Sequence, residues 1–136
     1  MLPNFEQKAN EIRKDIVTMG EFVLSSFEES LQGIKEGNID HLKAAREGNI
    51  KHLTYMADSV DNNIIVALAL YAPEAGELRE MIALLKITNE LVRIAEASKK
   101  FSRGMQEIVE SGSDISSIKQ YIIELHSVSI RSIKLV

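Results

Sequence analysis

Apolar side chains recur along the chain at steps of three and four, the spacing that lines one face of an α-helix. Phe5, Ala9, Ile12, Ile16, Met19, Val23, Phe27, Leu31 and Ile34 form the first such row, behind a proline, Pro3, suited to an opening helical turn. The row should end at Gly37, and Asn38 can cap the next helix by accepting a backbone N–H. A second helix is predicted from Ile39 to Ala72, with the stripe Ile39, Leu42, Ala45, Asn49, Leu53, Met56, Val60, Asn63, Ala67 and Leu70. Its two asparagines would act as register-setting polar contacts. Tyr71 to Gly76 then breaks the pattern, because Pro73 disfavours a helical conformation at the residue before it.

The third helix carries the most regular seam: Leu84, Ile87, Leu91, Ile94, Ser98, Phe101, Met105 and Ile108, with Leu78, Ile82, Leu85 and Val92 as a second apolar face. That second face predicts cover on two sides in its first half. Ser111 to Asp114 combines a stop with a new cap, and a shorter fourth helix follows with Ile115, Ile118, Ile122, Leu125, Ser129, Ser132 and Val136 on one line. No segment alternates with period two for long enough to predict a strand. The expected fold is all-α: an elongated antiparallel three-helix bundle with rods of roughly 50 Å, plus a shorter fourth helix. Residues 1–112 make the three-helix unit, and 113–136 the fourth helix.

Composition narrows the chemistry. In 136 residues there are no cysteines, which removes disulfides, thiolate metal sites and cysteine nucleophiles. Twenty acidic against sixteen basic residues give a net charge of −4, so no overall positive field favours nucleic acid. The longest apolar run, Ile64 to Ala72, is far below the roughly 20 residues of a spanning helix. A soluble, cytoplasmic protein is the expectation, since the first residues lack the basic start and apolar stretch of a secretory leader. Catalysis finds no foothold: there is no glycine-rich phosphate loop, no nucleophile elbow and no Glu-x-x-His pair. The serines from Ser111 to Ser132 read as caps and close-packing residues. His41, His52 and His126 have no helical metal spacing and read as surface or boundary residues, His126 being shielded if the fourth helix docks. Met19, Met56, Met81 and Met105 read as core filler.

Two stretches carry a resemblance. Pro73, Ala75 and the triplet Glu77-Leu78-Arg79 closely resemble the segment between the second and third helices of PhoU-type phosphate-transport regulators. Lys86 and the run Glu90-Leu91-Val92-Arg93-Ile94-Ala95-Glu96 are similar to that family's lysine followed by Glu-Leu-Glu-Arg-Ile-Gly-Asp, at the right distance from the proline. The resemblance covers about the first 110 residues as one three-helix repeat. Family members usually carry two, so the fourth helix looks like the first helix of a second repeat, or a dimerisation element.

The resemblance implies a non-enzymatic adaptor that contacts a phosphate transporter ATPase and a sensor histidine kinase, and reaches the membrane only through such partners. A homodimer is the economical expectation. Alternatives are a metal-responsive PhoU-like sensor and an unrelated structural bundle. The family can bind metal clusters through acidic pairs four residues apart on the second and third helices. Here those pairs fall on Ala57 with Asp61 and on Val92 with Glu96, so the first carboxylate of each is missing. No cofactor and no tight cluster is expected, and at most a weakly held divalent or transition metal at Asp61 or Glu96. Arg79, Lys86 and Arg93, seven apart, form a basic ridge that serves either as a contact for an acidic partner or phosphate, or in salt bridges to Glu77, Glu90, Glu96 or the second helix.

Overall fold

A computed structural model describes residues 3–47 and 50–135. Five helical segments follow in order: α1 (Pro3–Glu36), α2 (Ile39–Glu47), α3 (Ile50–Tyr71), α4 (Ala75–Ser111) and α5 (Lys119–Leu135). No strand occurs among the described residues. The predicted second helix corresponds to α2 and α3, and its Asn49 lies outside the described residues. Asn63 is half-buried.

The helix ends form where local chemistry requires. Gly37 takes φ 61°, a left-handed conformation open to a residue without Cβ, and the Asn38 N–H reaches back to the Gly33 carbonyl at 3.0 Å. Asn38 Oδ1 then accepts the Asp40 N–H at 2.9 Å, the cap its side chain predicts. At the proline corner the left-handed residue is Ala72, φ 41°, which with Pro73 ends α3, while Gly76 sits inside the first turn of α4. Gly112 ends α4 at φ 69°. Asp114 Oδ1 accepts the Ser116 N–H at 2.9 Å, and a turn over 116–118 precedes α5, which therefore begins later than predicted.

Contacts fix the directions. Arg13 meets Glu80, Ser26 meets Ser98 and Ser30 meets Ser102, so α1 and α4 run the same way. Phe5 meets Tyr71, Phe22 meets His52 and Ser26 meets the Ala45 carbonyl, so α2 and α3 return antiparallel. This is the elongated three-helix bundle of the sequence reading.

The first row is buried as predicted, from Phe5 to Ile34, with Leu31 partly covered. It packs against Leu53, Ala57, Val60, Ile64 and Ala67 of α3 and Met81, Leu91 and Ala95 of α4. A second cluster joins Ile34, Leu42 and Met105 to Phe101, Ile108 and the start of α5. Burying each of the larger side chains contributes about 1.5–3 kcal/mol.

Three predicted stripes need rotation by one residue. On α4 the inward line is Thr88, Leu91, Ala95, Ser98, Ser102 and Met105, while Ile87 is 36% exposed and Ile94 and Phe101 are half-buried. Small residues take the inner line because hydroxyls bridge α1 to α4 at Ser26, Ser30, Ser98 and Ser102, and that close approach leaves no space for Ile or Phe. The predicted second face is only half covered: Leu85 and Val92 pack against the core, but Leu78 and Ile82 are exposed. On α3, Ala57 and Ile64 point inward where Met56 and Asn63 were expected, and Leu70 is exposed. On α5 the inner line is Ile122, His126, Ile130 and Ile133, so Leu125 and Ser132 face outward, and Ile118, in the turn before the helix, is exposed. Val136 lies outside the described residues.

Candidate functional site

α5 has 17 residues against 34 in α1, so it covers roughly half of the furrow beside α1, about 25 of 50 Å. Its docking is directed by three contacts: Lys119 Nζ donates to the Lys35 carbonyl at 3.2 Å, His126 Nε2 donates to the Phe27 carbonyl at 2.8 Å, and Lys134 lies 3.7 Å from Glu28. His126 is buried between the rings of Phe27 and Phe101, stacked on both at centroid distances of 5.1 and 4.8 Å. Burial pushes its pKa down, and the Phe27 carbonyl only partly opposes this, so the neutral imidazole is favoured. By sequence His126 is a boundary residue that is shielded if the fourth helix docks, and the docked α5 buries it; its step of four to Ile130 and of four from Ile122 signals the inner line.

Beyond Ser132 to Lys134 the furrow stays open as a groove of about 640 Å³ between α1 and α4. Ile16 and Leu91 form its floor; Val17 and Leu24 line one wall, Ile87 and Ile94 the other. Glu21, Lys86 and Glu90 supply charge around the apolar interior. Gly20 lines the groove too, and no atom lies within 4 Å of where its Cβ would be. Arg13 of α1 pairs with Glu80 of α4 nearer the proline corner, and this hydrogen bond holds the Glu80 carboxyl below its ordinary range while raising the Arg13 guanidinium. An apolar cleft of this size rimmed by a few charges can seat a partner's apolar helix or loop, or a small apolar ligand.

The residues of the two sequence motifs spread around this region. Pro73 forms the corner and Ala75 opens α4; Glu77 stands in the first turn, favourable for the helix dipole. Leu78 and Arg79 are exposed. Lys86 and Glu90 reach the groove, and Arg93 pairs with Glu90 at 3.0 Å. The basic ridge of Arg79, Lys86 and Arg93 is thus exposed, with Arg93 engaged within its own helix. On α1, sequence reasoning missed Val17, Gly20 and Leu24, which recur at three and four beside the main row.

Asp61 and Glu96 are not neighbours. About the 72–74 corner α3 and α4 run antiparallel, which separates their levels by roughly 16 Å along the axes. The positions paired with them are taken by packing: Ala57 is buried in the main core and Val92 packs against it. Among the described residues, no three His, Asp or Glu side chains are placed to hold a metal ion. Asp61 is half-buried, and its Oδ1 has no hydrogen-bond partner. Burial, then the charge of Asp58, raises its carboxyl above the usual range. His41 instead bridges Glu29 and Glu36 of α1 from α2, at 2.6 and 3.1 Å, and the Glu29 hydrogen bond raises its pKa.

Comparison with known proteins decides the family. The model of the PhoU domain matches residues 16–105, the span holding α1's groove wall, the corner and most of α4. The chain belongs to the PhoU family. A curated PhoU relative, the phosphate-specific transport system accessory protein PhoU homolog of Aquifex aeolicus (strain VF5), is 20% identical over 96 residues. That match covers 71% of this chain and 43% of the relative, so less than half of the PhoU homolog is represented. No solved structure matches the chain. Among the described residues, no helix is long and apolar enough to cross a membrane.

Proposed function

We propose that this PhoU-family chain is a non-enzymatic regulator that restrains phosphate uptake and phosphate-starvation signalling, acting in the cytoplasm by contacts with a phosphate transporter ATPase and a sensor histidine kinase. The observation that carries the reading is the PhoU match over residues 16–105, whose relative is named as a phosphate-transport accessory protein. The groove between α1 and α4 supports it, because it offers a partner an apolar seat with Lys86 and Glu90 to set orientation. Binding there would bias a transporter or kinase only through unequal affinity for its two states.

Deleting the gene should raise a phosphate-regulated reporter in phosphate-rich medium, and Val17→Glu with Ile87→Glu should reproduce this and abolish co-purification with the ATPase or kinase. Both side chains are exposed, so the bundle should retain its helicity. An unchanged reporter together with no such partner would refute the proposal. The metal-responsive alternative draws on the orphaned Asp61 oxygen alone. Elemental analysis would favour it if a stoichiometric transition metal were found and then lost in Asp61→Ala.

A further inference from the structure

The outer face of α5 is more apolar than a solvated helix surface requires. Tyr121, Leu125, Val128 and Leu135 are 71, 72, 47 and 88% exposed, Ile118 in the turn just before the helix is 50% exposed, and with Ser132 the six positions step by three and four without a slip. This is the spacing of a two-stranded coiled-coil seam, separate from the inner line of His126 and Ile130. From these positions we infer that α5 is a self-association surface: a second copy of this chain docks on it with its own α5 antiparallel, about a twofold axis between Leu125 and Val128.

Charge selects that occupant and that direction. In antiparallel register Leu125 meets Val128, Ile118 meets Leu135, and Tyr121 meets Ser132, each contact occurring twice. The flanking charged positions are then Glu124 and Arg131, which this same register places opposite each other across the interface, again twice. Both are exposed; among the described residues Glu124 holds only a neighbouring glutamine of its own helix, Gln120, at 3.3 Å. A parallel pairing would instead face each residue with its own copy. From the exposures, the five apolar side chains offer roughly 600 Å² per copy, so about 1,200 Å² for the pair, the lower edge of stable specific interfaces.

Light scattering on the full chain at micromolar concentrations should give twice 15.2 kDa. Leu125→Glu should weaken the dimer roughly tenfold or more with helicity unchanged, since the side chain is exposed in the monomer. Glu124→Arg alone or Arg131→Glu alone should also weaken it, and the two together should restore it. Because the chain has no cysteine, direction can be read directly: Leu125→Cys mixed with Val128→Cys should form a disulfide between copies, whereas Leu125→Cys alone should not. A monomer at every concentration, a dimer indifferent to Leu125→Glu, failure of the charge swap to restore, or cross-linking of Leu125→Cys to itself would each overturn the inference.

Discussion

Gly33 tests how tightly α2 is seated on the bundle. A Cβ built on it would lie 2.8 Å from Leu42 Cγ, 3.0 Å from Cδ2 and 3.2 Å from the Asn38 carbonyl oxygen. Carbon pairs prefer about 3.5–4.0 Å, so Gly33→Ala forces a shift of roughly 0.7 Å or more. Leu42 cannot give way freely, being fully buried against Ile34 and Met105. Nor can Asn38, whose N–H is bound to the Gly33 carbonyl and whose side chain caps α2. Overpacking of this kind costs about 1–3 kcal/mol, against a gain of about 1 kcal/mol from replacing a helical glycine by alanine. The expected net effect is a loss of up to about 2 kcal/mol, read as a lower denaturation midpoint in urea with unchanged slope. Gly104→Ala is the control, because no atom lies within 4 Å of its Cβ position; it should gain up to about 1 kcal/mol. In a Leu42→Ala background, Gly33→Ala should lose most of its penalty, keeping only the contact with the Asn38 carbonyl. If Gly33→Ala stabilises as much as Gly104→Ala, or costs the same without Leu42, the seating of α2 is wrong.

Acid should loosen the α5 dock, because His126 has a lowered pKa and the unfolded chain takes up its proton first: stability is intact above about 6.5 and falls as pH drops below it. Thermal melts of His126→Phe should lack that acid limb; His41, with its raised pKa, contributes in the opposite sense, stabilising below about 6.5 and losing this as pH rises through its folded value, so the comparison belongs in a His41→Gln background. Leu91→Asp should unfold the protein or cost several kcal/mol by burying an unpaired charge, whereas Ile94→Asp, beside the groove, should cost far less; equal melting temperatures would contradict the assigned inner line of α4. Asp61→Asn should raise the melting temperature at neutral pH, since the burial cost of its carboxylate is relieved only as pH falls through its raised pKa, and the gain should vanish in acid.

Helix ends were legible because they are decided locally. Gly37, Asn38 and Gly112 act through their own backbone and side chains within a few residues, and they sit where the sequence placed them. The motif around Pro73 and Lys86 was legible for the same reason, being a run of residue types in the chain. The groove was not, because Val17 and Ile87 are brought together only by packing, 70 positions apart. Nor was the separation of Asp61 from Glu96, which follows from antiparallel register.

The sequence by itself determined helicity, the corner and which helical positions return every seven residues: Leu53, Val60 and Ala67; Leu91, Ser98 and Met105. It could not choose the position between them. At about 100° per residue, the residues three and four after a seam position lie on either side of it, so both rows look equally regular along one helix. Tertiary structure chose the second every time: Ala57 and Ile64 over Met56 and Asn63, Ala95 and Ser102 over Ile94 and Phe101, His126 and Ile133 over Leu125 and Ser132. The choice depends on where the neighbouring helices lie and how closely they approach. It is also what left Ile87, Ile94, Leu125 and their companions at the surface, available to partners.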